Sequence, residues 1–134
     1  MSRWAKLALT SAAIAGLVTW TPTARAQQGS QMAPDPALAK RGSKLFVERG
    51  CLGCHSIGKG KRAGPDLSGV TSRRSMEWLK SFLKDNERML SEDPTAMALV
   101  KEYNYQRMRI SKLSNHEVEA LVSYLVQENS KGGA

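Results

Sequence analysis

The run Cys51-Leu52-Gly53-Cys54-His55 brings two thiols and an imidazole into five consecutive residues, and it uses both cysteines of the 134-residue chain. Two thiols separated by two residues can each bond one of the two vinyl groups of a porphyrin, while the next imidazole falls beneath its iron. C-x-x-C-H is accordingly the attachment sequence of c-type haem. A Cys51–Cys54 disulfide would close only a very small loop and would add little global stability. Two other chemistries use the same residue types. A thioredoxin-like redox pair would sit at a strand-to-helix turn of a βαβ unit. A structural zinc would need a fourth ligand beyond Cys51, Cys54 and His55, drawn from His116 or a carboxylate.

The segments that must position these groups read as helical. Leu38, Gly42, Leu45 and Phe46 fall on one face of a helix over 36–49 that ends at Gly50. Gly42 in the interior of that helix costs roughly 1 kcal/mol against alanine, which marks a place where another element packs closely. Residues 56–71 are rich in glycine, with Gly64-Pro65, and read as loop. Trp78, Leu79, Phe82 and Leu83 give a buried face to a helix over 75–84. Asp93-Pro94 then opens a further helix, with Met97, Val100 and Tyr103 expected inward. Residues 104–113 have no clear period and are expected to be loop. Ser114-Asn115-His116-Glu117 is a capping box, which Leu113 can staple to Val118. Behind it Val118, Leu121, Val122 and Leu125 form one apolar face, and His116 is expected to face solvent. No strand pattern or internal repeat stands out. The expectation is a small all-α domain of four to five helices, whose long loops need something central to pack on. The absence of a strand pattern and the secretory character of the chain start favour haem over the two alternatives.

The chain start reads as a secretory leader. Arg3 and Lys6 precede an uncharged run from Leu7 to Trp20. Thr21-Pro22-Thr23 breaks it, and Ala24-Arg25-Ala26 offers a small-x-small cleavage pattern. The run falls short of the ~18 apolar residues of a spanning helix, so an uncleaved anchor is the weaker alternative, and no cysteine at the cut invites a lipid. The organisation expected is therefore a signal peptide at 1–26, a polar lead-in at 27–35 and one domain at 36–130. Taking the three basic residues of the leader from the formal charge of +8 leaves +5. That bias is too diffuse for a nucleic-acid-binding arm and suits an acidic protein partner.

In this order of pieces the sequence resembles the class I c-type cytochromes over roughly residues 36–127. The helix with Gly42, Leu45 and Phe46 comes first, then CLGCH. Gly64-Pro65-Asp66-Leu67-Ser68-Gly69, Trp78-Leu79, a methionine-bearing loop and a last helix ending Leu121-Val122-Ser123-Tyr124-Leu125 follow. The resemblance implies a cytochrome c-like domain around one covalently bound haem c, with Cys51 and Cys54 as its anchors and His55 as iron ligand. It implies that the Pro65 carbonyl accepts the imidazole N–H, orienting His55 and increasing its electron donation. It also implies that Trp78 lies near a haem propionate and that Gly42 and Phe46 pack on Tyr124. For the sixth iron position, Met32 lies in the lead-in, and Met76 and Met97 fall at core-like helix spacing. Met89 and Met108 occupy loop-like positions. Met108 stands just before the final helix, as the family's distal methionine does, and is favoured over Met89. Arg107 and Arg109 flank it where the family often has a proline, which leaves room for a looser, ligand-exchanging iron.

A thioether opposite histidine gives a closed iron of raised potential suited to electron transfer. The function implied is a monohaem periplasmic carrier of single electrons and not an enzyme. It would meet redox proteins with acidic docking surfaces, bind no nucleic acid and reach the membrane only through partner complexes. The alternatives are a haem enzyme or sensor with an open distal position, and the haem subunit of a larger oxidoreductase. Lys59, Lys61, Arg62, Arg107, Arg109 and Lys112 would steer such partners if both their loops border the haem edge.

Overall fold

The structure, a computed structural model, describes residues 33–132. The leader expected at 1–26 and most of the lead-in lie outside the described residues. Among these there are seven helices and no strand: α1 (Pro36–Glu48), α2 (Cys51–Cys54), α3 (Val70–Arg73), α4 (Met76–Lys84), α5 (Asn86–Glu92), α6 (Pro94–Glu102) and α7 (Asn115–Lys131). No helix among them is long and apolar enough to cross a membrane.

Local chemistry sets the ends of these helices. Asp35 caps α1 by accepting the N–H groups of Ala37 (2.8 Å) and Leu38 (3.2 Å), with Pro36 in the first turn, where a missing donor costs nothing. Ser75 caps α4, and Asp93 followed by Pro94 opens α6. At α7 the capping box is complete: Ser114 Oγ accepts from Glu117 N–H at 3.3 Å, and Glu117 Oε2 accepts from Ser114 N–H at 2.8 Å. Glu117 also pairs with Arg49, which ties the end of α1 to the start of α7.

The scaffold is the crossing of α1 and α7. A Cβ at Gly42 would lie 1.9 Å from the carbonyl oxygen of Ala120 and 2.8 Å from Cβ of Tyr124, so the two backbones meet where only glycine fits. One turn on, the Phe46 and Tyr124 rings pack with centroids 5.5 Å apart. Because the obstacle is backbone, Gly42→Ala is expected to destabilise the domain by roughly 3 kcal/mol. In thermal unfolding the holoprotein should lose more than about 10 °C of Tm; a variant within a degree or two of wild type would contradict this close crossing.

Two apolar clusters flank this crossing. The larger joins Leu45, Phe46, Val70, Leu79, Leu113, Val118, Leu121, Val122 and Leu125. The smaller joins Met89, Leu90, Ala96 and Val100 from α5 and α6, with Trp78, Phe82 and Met108 packed against it. Here the structure corrects the sequence reading in two places. Met89 is not in a loop but on α5, where it is 7% exposed. Met97 is not inward: it is 48% exposed, and Ala96 and Val100 supply the buried face of α6. On a nine-residue helix that face is one residue wide at each turn, and the small Ala96 fits the space between α5 and α6.

Candidate functional site

The site is assembled on a single helical turn. α2 carries Cys51 and Cys54, and His55 leaves it in extended conformation (φ −112°, ψ 155°), which turns its ring inward until it is 8% exposed. The chain then doubles back, with Gly64 N–H donating to Cys54 O and Leu67 N–H to Ser56 O, each at 2.8 Å. That return lays Gly64-Pro65 against the imidazole. A Cβ at Gly64 would lie 2.6 Å from His55 Cε1, so the close approach needs glycine. His55 Nδ1 lies 2.9 Å from the carbonyl oxygen of Pro65. A carbonyl only accepts, so this bond places the proton on Nδ1 and leaves the Nε2 lone pair free to bind a metal.

Asp66 organises the loop behind this contact. Its Oδ1 accepts from Ser68 and Gly58 N–H, both at 2.8 Å, and its Oδ2 from Gly60 N–H at 2.5 Å. These bonds, those of Ser68 and Gly58 foremost, lower its pKa from 3.8 to about 2. Glu117 is likewise held at about 2 against an ordinary 4.5, first by the Ser114 N–H and then by the Arg49 guanidinium. Both pKa values are depressed in the folded state, so the stabilisation is full above about pH 4.5 and is lost as pH falls through about 2. Acid unfolding followed by circular dichroism should show it. In Asp66→Asn the loss of stability between pH 4.5 and 2 should be shallower, from a lower starting point at neutral pH.

Cys51, Cys54, His55, Pro65, Trp78 and Met108 all line one cavity of about 630 Å³, a size typical of cofactor sites. Its walls are mostly apolar, from Phe46, Leu79, Phe82 and Leu121 among others, and five arginines, Arg49, Arg73, Arg74, Arg107 and Arg109, also line it. Trp78 stacks on Phe82 (centroids 5.1 Å apart, 13° between planes), and Arg74 lies over its ring at 5.5 Å. The indole N–H is donated to Asp93 Oδ1 at 3.1 Å, so it is already engaged within the protein. Met108 is half-buried, with its carbonyl oxygen accepting from Asn86 Nδ2.

The two rival uses of the cysteines find no support. Burial pushes the Cys51 thiol up, opposite to the depressed value of a redox-active pair. Among the described residues no group of three or more His, Cys, Asp or Glu side chains is placed to share a metal, and His116 is exposed on α7. The residues present do fit haem c. Cys51, Cys54, His55 and Met108 all line the same space, and Nδ1 of His55 is engaged by Pro65 while Nε2 keeps its lone pair.

Sequence reasoning missed Arg49, Arg73, Arg74 and Asn86. The adjacent arginines just before the Ser75 cap were a readable sign of a basic rim. Asn86 carried none, because nothing in its neighbourhood announces a partner 22 residues away.

Fold and site together define a small haem-binding domain. The Cytochrome c family model matches residues 39–128, and the chain belongs to that family, with the class I arrangement, one covalently bound haem c and its iron. It is 34% identical over 109 residues to cytochrome c4 of Stutzerimonas stutzeri, covering 74% of this chain and 47% of that protein. It is 32% identical over 94 residues to cytochrome c oxidase subunit 2 of Bacillus subtilis (strain 168), covering 66% of this chain and 26% of that one. The chain thus spans about half or less of the curated relatives it matches. Among solved structures, cytochrome c from Rhodothermus marinus aligns with a TM-score of 0.68 at 31% identity, covering 73% of this chain and 82% of that one.

Proposed function

We propose that this chain is a periplasmic carrier of single electrons rather than an enzyme. In this reading haem is attached through Cys51 and Cys54, and its iron is held by His55 and Met108. When bound, the haem supplies the one-electron Fe(III)/Fe(II) couple. His55 and Met108 would hold that iron from two fixed positions on the chain and so keep small the rearrangement that accompanies each electron. The observation that carries the reading is that an imidazole with a fixed free Nε2 and a thioether line one largely apolar cavity. Pro65 orients His55, and Trp78 with Phe82 closes a wall against water. Export is supported by the leader pattern at 1–26.

Partners with acidic surfaces are supported by the basic residues of the two loops, though these are not equivalent. Lys61 Nζ lies 3.3 Å from Glu102 Oε1 and 4.0 Å over the Tyr103 ring, and Arg62 donates to Leu52 O at 2.9 Å. Among the described residues no hydrogen bond or ion pair engages the side chains of Lys59, Arg109 or Lys112, so these are the charges free to steer. Oxidation of the reduced holoprotein by ferricyanide tests the point. The rate should fall as ionic strength rises, because exposed charges are screened over ~10 Å at 0.1 M salt. In the Arg109→Glu, Lys112→Glu variant it should be several-fold slower at low salt with a flatter salt dependence. A wild-type rate indifferent to salt would remove the steering role.

The likeness to an oxidase subunit supports a second reading, in which this domain is the haem module of a larger oxidoreductase. A catalytic partner retained through purification of the native chain would favour it.

A further inference from the structure

Among the described residues, 107–113 make no backbone–backbone hydrogen bond. The last such bonds before them run from Tyr105 N–H to Val100 O (2.8 Å) and from Gln106 N–H to Tyr103 O (3.0 Å). A segment with no ladder of its own keeps its place only through the side chains that reach it. Those that hold residues 107 and 108 all converge on α5. Asn86 Nδ2 donates to the carbonyl oxygen of Met108. On the other side, Arg107 Nη2 donates to Ser91 Oγ at 2.9 Å and to Glu87 O at 3.2 Å.

The helix is itself fixed. Asp85 caps it, Met89 and Leu90 root it in the smaller apolar cluster, and Asn86 is 7% exposed. The Met108 side chain packs against that same cluster. α5 therefore holds Met108 by its backbone and through its neighbour Arg107, and the cluster that α5 shares with α6 receives its side chain.

We propose that Asn86, and more weakly Arg107, are positioning residues that hold Met108 in place as distal ligand and set how readily its sulfur leaves the iron. The proposal rests on the reading of Met108 as ligand. The event concerned is a substitution without electron transfer: the iron–sulfur bond breaks and a bond to an incoming nitrogen lone pair forms.

The test is displacement of the thioether by imidazole in the oxidised holoprotein, followed by loss of the thioether-to-iron charge-transfer band. Asn86→Leu keeps the branched outline of the side chain and removes the donor. It should keep the band at neutral pH but lose it to imidazole about tenfold faster than wild type, the scale of one buried hydrogen bond. Arg107→Met, a surface change that leaves the core intact, should be a few-fold faster. Met89→Leu, altered on the same helix without touching these bonds, should match wild type.

If Asn86→Leu displaces within twofold of Met89→Leu, the proposal is overturned and Met108 can still be the ligand. If Asn86→Leu does not fold, Arg107→Met decides alone, and a wild-type rate there overturns it. A band that persists in Met108→Ala would instead remove the ligand reading, and this proposal with it.

Discussion

Replacing Cys51 and Cys54 together by alanine should yield a chain that carries no covalent haem and has lost most of its helix content. The two apolar clusters of the domain face one large cavity instead of filling it, and its walls include Phe46, Leu79 and Leu121 from the larger cluster and Leu90 and Val100 from the smaller. Those faces bury apolar surface only against something in the cavity, at about 25 cal/mol per Å². α2 and α3 are four-residue helices, and α5 has seven residues, all too short to persist alone. The α1–α7 crossing has close packing of its own. Far-ultraviolet circular dichroism of the exported variant should therefore show less than half of the holoprotein's helix signal, with no haem stain on a denaturing gel. A haem-free variant with unchanged helix content would mean that the cavity is incidental to folding.

The second large effect is expected at Met108. Truncation to alanine should remove the thioether band of the oxidised protein, lower the reduction potential and let carbon monoxide bind the reduced form at full stoichiometry. Because the side chain is only half-buried, the accompanying loss of stability should stay near the low end for methionine truncation, about 2 kcal/mol. Met89→Ala sets the contrast. That residue is buried on α5, so its truncation should cost about as much stability or more while leaving band, potential and ligand access unchanged. An exchange of these two outcomes would move the ligand to Met89 and leave the rest of the site standing.

The long elements were legible because each carries its own punctuation. The expected helix over 36–49 is α1, and the helix over 75–84 is α4 behind its Ser75 cap. Asp93-Pro94 opens α6, and the capping box opens α7. Gly42, read as a point of close packing, lies against the backbone of Ala120. α5 was not legible, since Asn86-Glu87-Arg88-Met89-Leu90-Ser91-Glu92 offers two adjacent apolar residues and no period. It is a helix because Asp85 caps it, Asp93-Pro94 stops it and the α6 face receives Met89 and Leu90. Met97 was misread for a related reason: on so short a helix, size and apolarity pointed to the methionine, whereas packing selected Ala96. In the site, CLGCH could be read because local spacing creates its chemistry, whereas the contact of Pro65 with His55 was implied only by the resemblance to the class I cytochromes. Asn86 could not be read, because its role exists only where α5 and the Met108 loop meet.

A haem closed by His55 and Met108 should be plain in the visible spectrum of the exported protein. It should be taken oxidised and reduced, the latter with and without carbon monoxide. The expected result is a low-spin oxidised spectrum with a thioether-to-iron band, and a reduced spectrum that carbon monoxide leaves unchanged. A high-spin oxidised spectrum without that band, together with prompt carbon monoxide binding on reduction, would contradict it and mark the iron as open to substrates or gases.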